Sequence, residues 1–345
     1  MRIAFTVHNP LMTPAELSEL AAELGLDVVG AAPAQPYEDT EQHIRERRDR
    51  GLFADMRFTM ARPDVSCHPE RLLDGARSVV AAALCYVVDP PTPGPNEARL
   101  PRYTWRDEYA VLRERLDALG RRLGGAYRVL VDENDHVDRA AAVRAGVAFY
   151  GKNTMAITRR HGSWVVLGAL VTDVEIGASP LLDLDCGDCR LCIDACPTGA
   201  LDEPGTLDAT KCLSYWTQAP APIPESYRDE LGDSVYGCDI CQEVCPWNRG
   251  IEKRRRGSRL DDGQQPLVPL QDWLERDERD LAADFDRLYV PRNDGRWLRR
   301  NALIAAGNVG TETLRPSIAA HVDSPDPMLS ETARWALDRL DERHG

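Results

Sequence analysis

Eight of the ten cysteines fall between positions 186 and 245, and their spacing constrains the fold more than any other feature. Cys186-x2-Cys189-x2-Cys192-x3-Cys196-Pro197 is the spacing of a bacterial ferredoxin. Three thiolates at two-residue gaps wrap one iron–sulfur cubane on a tight loop, and the fourth points away to a second cubane. Gly187 supplies the sharp backbone curvature such a loop needs. Cys238-x2-Cys241-x3-Cys245-Pro246 repeats the ending. A regular ferredoxin would carry a further cysteine at position 235, but the residue is Val235, and Cys212 is the obvious substitute from the preceding segment. The exchange rule then assigns Cys186, Cys189, Cys192 and Cys245 to one 4Fe–4S cluster, and Cys196, Cys212, Cys238 and Cys241 to a second. Four-cysteine zinc sites also use CxxC pairs, but eight cysteines with two Cys-Pro endings favour clusters. Cys67, in a polar loop, and Cys85, in an apolar strand, are left over. Cys85 reads as a core thiol, and neither residue is given a role.

Two clusters imply a path for single electrons. A simple carrier needs only about 60 residues of this kind, whereas here about 180 residues precede the first cysteine motif. An electron sink should therefore lie in that first part, and it carries neither a Rossmann glycine fingerprint nor a P-loop. The formal net charge of −14 excludes a uniformly basic nucleic-acid coat, though not a local basic patch. Met1 to Met12 shows no leader pattern. The longest apolar stretch, Ser78 to Val88, is too short to span a bilayer and reads as a buried strand. A cytoplasmic protein without a membrane partner is expected, and in that compartment clustered cysteines bind metal rather than pair as disulfides.

Pattern places a helix over Thr13 to Leu26, with Thr13 as N-cap, Pro14 at the first position and Leu17, Leu20 and Leu24 on one face. A short strand over Asp27–Gly30 and a charged helix over His43–Arg50 follow. Strands are expected over Ser78–Tyr86, Tyr127–Val131 and Ser163–Thr172, with an amphipathic helix at Tyr109–Leu123 and another near Ala140–Ala145. Asp89–Pro95 reads as a loop. The alternation makes residues 1–180 one α/β-type domain. Residues 181–250 form a ferredoxin-like unit with two 4Fe–4S clusters, and 251–345 a helical tail after a linker over Gly257–Gln265. In the tail, Leu298, Ala302 and Ala305 are echoed by Leu329, Ala333 and Ala336 at a period of 31 residues, a HEAT-like pattern or simply two amphipathic helices. So few copies cannot stand alone as a solenoid, so the tail should dock on the body. The fold class is α+β or α/β with a helical tail.

Several blocks resemble the epoxyqueuosine reductase family. These are Met60-Ala61-Arg62, Leu72–Val79, Val131-Asp132 through Arg139-Ala140, Arg144-Ala145-Gly146, Gly151-Lys152-Asn153-Thr154, Gly162-Ser163-Trp164, Cys212–Gln218 and Tyr236-Gly237-Cys238-Asp239. The resemblance covers nearly the whole chain, including the tail. It implies an oxidoreductase of tRNA modification in which electrons pass through two clusters to cobalamin, and epoxyqueuosine in the anticodon loop loses its epoxide oxygen to give queuosine. The family's acid is the aspartate of its Val-Asp motif, here Asp132. It follows an apolar strand, and a desolvated carboxylic acid holds its proton at neutral pH. Arg62, Lys152, Ser214, Gly237, Cys238 and Asp239 lie in blocks that the resemblance makes candidates for holding cobalamin, with the N-terminal domain as its binding domain.

Positive charge for tRNA is offered by Lys253, Arg254, Arg255 and Arg256, and by Arg292, Arg296, Arg299 and Arg300 around Trp297, with Gln218 a further candidate contact. The alternative is that these arginines pair with the acidic run Asp272–Asp286. The electron donor is expected to be a small carrier such as a ferredoxin or flavodoxin. Two departures from the family pattern leave the substrate open. Glu133-Asn134-Asp135 stands where Thr-Gly-Pro is usual, and Ala110 where a histidine is usual. Rival readings are a diverged cobalamin reductase of another substrate, such as an organohalide, and an electron carrier without a corrin.

Overall fold

A computed structural model of the chain describes residues 11–344, so nearly all of the stretch examined for a leader lies outside the described residues. Helix α1 (Pro14–Glu23) begins where the sequence places its cap. The Thr13 side chain accepts from the Glu16 N–H while the Glu16 carboxylate accepts from the Thr13 N–H, a closed capping box. There follow β1 (Val28–Pro33), α2 (Glu38–Asp49), β2 (Ser78–Cys85), β3 (Glu97–Arg99), α3 (Glu108–Leu123), β4 (Tyr127–Leu130), α4 (Asp138–Arg144) and β5 (Val165–Thr172).

Four of these strands form a sheet in the order β1-β2-β5-β4, and every neighbouring pair is antiparallel. Alternating strands and helices suggest a parallel sheet, and this domain departs from that rule. Its central strands β2 and β5 are buried along almost their whole length because helices cover both faces. Leu17 of α1 and Leu112, Leu116 and Leu119 of α3 pack on one face, against Val80, Ala82, Val166 and Leu170. Ile44 of α2 and Ala140, Ala141 and Ala142 of α4 cover the other, against Val79, Ala81, Ala83 and Ala169. A strand covered on both sides reads as a continuous apolar run whatever the direction of its neighbours. The α3 leucines are fully buried, and each contributes about 1.5–3 kcal/mol of transfer free energy. Cys67 lies in the turn after a short helix (Pro63–Ser66), yet it is not solvent-facing: it is fully buried against this second face, next to Tyr37, and its carbonyl accepts from the Tyr37 N–H at 2.8 Å.

The cysteine-rich stretch holds only short turns of helix, of which α5 (Leu213–Gln218) carries Cys212 at its N-cap. Beyond it come α6 (Arg249–Arg255), β6 (Leu267–Pro269), α7 (Leu270–Glu275), α8 (Arg296–Val309) and α9 (Pro327–His344). The two echoed triplets lie on α8 and α9 and are buried in one core with Ala98, Trp105, Val235 and Tyr236. The tail is thus docked on the body, and β6 pairs antiparallel with β3 to stitch it there. Arg300 of α8 is fully buried. Its guanidinium donates to the carbonyls of Trp216 at 2.9 Å, Thr217 at 3.1 Å and Ala219 at 2.8 Å, and also to Ala221. Among the described residues no helix is long and apolar enough to cross a membrane.

Candidate functional site

The cysteines gather as two foursomes. Cys186, Cys189, Cys192 and Cys245 line a cavity of 330 Å³ with Lys152, Asn153 and Trp247. Gly187 turns this loop with φ of 48°. Burial raises the Cys192 thiol pKa, and the charges of Cys245, Cys186 and Cys189 raise it further, which places these four as mutual neighbours. Cys238 is pushed up to about 12 by burial and then by Cys212 and Cys196. Cys241 is raised by burial and by Cys238 and Cys212, with Cys192 of the first foursome also in range. The two sets adjoin. Val235 is fully buried under the tail, and Cys212 stands at the N-cap of α5 on the side of Cys238. Among the described residues no three His, Cys, Asp or Glu side chains close on one point as a single ion requires. The first foursome instead surrounds a cavity, as a cubane held through separate irons requires. Such buried thiols must lose their protons to iron, so cluster loading is linked to proton release.

Several residues matched to the family hold this architecture. The Lys152 ammonium donates to the carbonyls of Gly187 at 2.6 Å and Cys189 at 3.0 Å, so it clamps the first cysteine loop. Asn153 donates to the Cys241 carbonyl at 3.2 Å, tying the sheet domain to the second foursome. Gly237 has φ of 61°, and a Cβ there would lie 2.6 Å from Pro101, so this position requires glycine. Its N–H donates to the Thr217 hydroxyl at 2.9 Å. Gln218 folds back on its own helix, donating to the Ser214 carbonyl at 2.9 Å and hydroxyl at 3.2 Å.

Asp132 follows β4 with φ of 54°, a left-handed conformation that costs a non-glycine residue about 1–3 kcal/mol. Its surface is exposed, yet protein crowds its remaining sides. Its pKa is raised by partial burial, then by Asp138, Glu133 and Asp107, against the opposing charge of Arg113. The direction of the shift suits a proton donor. Tyr109 and Tyr236 both sense the Asp132 charge, and Tyr103 lies between them and Asp239. Asp239 adjoins the second foursome, accepts from the Arg102 N–H at 2.9 Å, and is pushed up to about 6, chiefly by burial. Tyr103 packs edge-on to Tyr109 with ring centroids 6.5 Å apart, and Tyr236 stands two residues before Cys238, so a wall of tyrosines adjoins the second foursome. Sequence reading missed this wall. Its members come from separate segments, and tyrosines in apolar patterns read as core.

Other placements differ from expectation. Arg62 pairs with Asp135 at 2.8 Å, on the loop after Asp132, with Arg128 on the same carboxylate at 3.1 Å. Arg299 is 8 % exposed and donates to the Arg276 carbonyl, so it does not face a surface that a polyanion reaches. Arg296 pairs with Asp294 at 2.8 Å and Asp326 at 3.3 Å, and Arg300 is spent on α5. Arg299 and Arg300 are therefore internal fasteners, a correction to the reading of Arg299 as a tRNA contact and of Arg300 as part of a basic patch, while Arg296 is half-buried and held by two tail carboxylates. The acid groups of this tail and backbone carbonyls claim them first. Lys253 and Arg255 remain in the exposed last turn of α6, and Arg254 there donates to the Arg160 carbonyl.

Comparisons with known proteins agree with this geometry. Residues 185–248 match the 4Fe-4S double cluster binding domain, and residues 67–134 match the family described as epoxyqueuosine reductase QueG, DUF1730. Over 324 residues the chain is 41 % identical to the epoxyqueuosine reductase of Synechococcus sp. (strain CC9605), covering 91 % of this chain and 95 % of that one. A solved epoxyqueuosine reductase with an epoxyqueuosine-modified tRNA-Tyr stem loop superposes with a TM-score of 0.84 at 31 % identity, over 94 % of this chain and 89 % of that one. The Bacillus subtilis epoxyqueuosine reductase, solved with its catalytic aspartate loop swung out of the active site, superposes at 0.83 and 30 % identity over 94 % and 90 % of the two chains. With two thiol foursomes, an acid on a turned loop and this likeness over nearly the whole chain, the protein belongs to the epoxyqueuosine reductase family.

Proposed function

We propose that this chain reduces epoxyqueuosine to queuosine in the anticodon loop of tRNA, using cobalamin fed by two 4Fe–4S clusters. The observation that carries the reading is the wall of tyrosines beside the second thiol foursome: Tyr236 stands two residues before Cys238, and Tyr103, next to the residue whose N–H bonds Asp239 at 2.9 Å, packs on Tyr109 at 6.5 Å, on the side toward Asp132. Opening an epoxide and expelling its oxygen as water takes two electrons and two protons, so both must converge on the same carbon–oxygen bonds. When bound, cobalamin supplies a strongly reducing cobalt centre toward the strained ring, and the clusters supply single electrons. The groups beside the second foursome fit such a cofactor. Gln242 Oε1 is buried without a partner, next to the Asp239 carboxyl, and an amide-bearing ring offers donors to both. Gly237, Cys238 and Asp239, with Gln242, would hold it. Lys152 acts one step back, through the cysteine loop.

Asp132 delivers a proton to the epoxide oxygen, and burial with the neighbouring carboxylates favours its protonated form. Cys186, Cys189, Cys192 and Cys245 are assigned to the outer cluster, and Cys196, Cys212, Cys238 and Cys241 to the inner one. The exposed end of α6, with Lys253 and Arg255, supplies phosphate contacts, and the modified base leaves its stack to enter. A small one-electron carrier such as a ferredoxin or flavodoxin feeds the outer cluster, in the cytoplasm where tRNA is found. The test is anaerobic turnover of tRNA bearing epoxyqueuosine by protein loaded with both clusters and cobalamin. Mass spectrometry of the digested nucleosides should show loss of one oxygen, dependent on cobalamin. Fully loaded protein that leaves the epoxide intact would overturn the reading.

A further inference from the structure

Asp132 stands at the head of a loop that is anchored through a buried tyrosine and a buried histidine. Tyr37, the residue before α2, is almost fully buried, and its hydroxyl lies 3.2 Å from His136 Nε2. His136 is fully buried, and its other nitrogen, Nδ1, lies 3.3 Å from an Asp138 carboxylate oxygen. Asp138 follows Asp132 by six positions, and between them the Val137 N–H donates to the Ser66 carbonyl at 3.2 Å. The Asp138 carboxylate only accepts, so Nδ1–H donates to it, and in the neutral imidazole Nε2 accepts from the Tyr37 O–H. This buried network pins the far end of the loop that Asp132 heads, and Asp132 itself has a positive φ. Such a conformation persists only where its surroundings impose it.

We propose that Asp138 is a positioning residue for the reduction: with the buried Tyr37 and His136 behind it, it anchors the loop that Asp132 heads, and it carries a negative charge near that carboxyl. The inference rests on the reading of Asp132 as the proton donor. A neighbouring negative charge favours the protonated form of a carboxyl. The other charged and titratable groups facing Asp132 are Arg113, which opposes this, Glu133 and Asp107, with Tyr109 and Tyr236 across the gap. Burial raises the Asp138 pKa, and the bond from His136 and the charges of His136 and Arg139 oppose this and favour its ionised form. Arg113 also pairs with Glu133 at 3.2 Å, so its charge is shared. Asp138 therefore acts on the proton donor in two ways, through the loop it anchors and through the field.

Two substitutions separate these effects. Asp138→Asn keeps an amide oxygen to accept from His136 Nδ1–H but removes the charge. The alkaline limb of its kcat/KM profile should move to lower pH, because Asp132 then loses its proton earlier, while KM for tRNA stays unchanged. Asp138→Ala also removes the acceptor. Its kcat should fall by about 100-fold, the scale of an ångström-sized misplacement of a reacting group, with iron content intact. Hydrogen exchange of residues 132–137 in the holoprotein should quicken in Asp138→Ala, a measurement that needs no turnover. A superimposable pH profile for Asp138→Asn, or unchanged exchange in Asp138→Ala, would overturn the inference. If the wild type fails to turn over, the proposed reaction fails, and the exchange measurement still decides whether Asp138 holds the loop.

Discussion

Arg300→Met tests whether the tail fastens the inner cluster. Arg300 is fully buried in α8, and among the described residues no carboxylate pairs with it. Burial and the neighbouring Arg228 push its pKa down, so the charge is held by the carbonyls of Trp216, Thr217, Ala219 and Ala221. Three of these lie at or just past the end of α5, whose N-cap is Cys212. The guanidinium therefore satisfies the C-terminal carbonyls of the short helix that delivers a cluster thiol. Methionine fills much of the space and removes every donor. Each buried carbonyl left without a donor costs about 1–3 kcal/mol. Part is recovered because the unpaired charge no longer has to be desolvated, which leaves a net loss of about 3–5 kcal/mol. At about 2–4 °C per kcal/mol for a chain somewhat smaller than this one, the apparent melting temperature should fall by about 5–15 °C. The assay is thermal melting of anaerobically prepared holoprotein, followed by circular dichroism and by iron release. Iron should leave the inner cluster first. Arg300→Lys keeps the charge but has no planar fork, so it should fall between. Wild-type melting and full iron retention in Arg300→Met would refute the reasoning.

Three further outcomes follow from the geometry. Cys212→Ser should lose one cluster selectively, and iron content that stays at the wild-type level would show that Cys212 is not a ligand. Gly237→Ala places a Cβ 2.6 Å from Pro101 at a positive φ. It should cost about 1–3 kcal/mol in backbone strain alone and displace Cys238, read as lower inner-cluster occupancy with the outer cluster retained. Asp132→Asn should keep both clusters and cobalamin yet lose about 100- to 10,000-fold in turnover. In the wild type, activity should decline as pH rises through the raised Asp132 pKa, since the proton donor is then spent. A pH-independent rate across that range would remove Asp132 from the role.

What the sequence disclosed was local or spacing-encoded. Thr13 and Glu16 announce their capping box three residues apart, and the cysteine spacing separates the two foursomes before any coordinate is known. What it concealed depends on partners far along the chain. Lys152 looked like a cofactor contact and instead clamps a loop 35 residues away. Arg62 meets Asp135 across 73 positions, and both sit in stretches that read as site lining. The α8 arginines looked like a basic stripe because their acceptors, the α5 carbonyls and the tail acids, leave no trace in composition. Sheet direction stayed hidden for a similar reason. Burial on both faces gives β2 and β5 the same apolar text in either orientation.

The pairing of β3 with β6 has a consequence for biosynthesis. Residues 97–99 leave the ribosome some 170 positions ahead of the strand that completes their ladder. At about 5–20 residues per second, that interval lasts about 10–30 s. Every cluster cysteine emerges within it, and the helix that fastens α5 comes later still. Newly made chains therefore present all eight thiols to the iron-delivery machinery before the tail arrives, and a slowed ribosome would lengthen that opening.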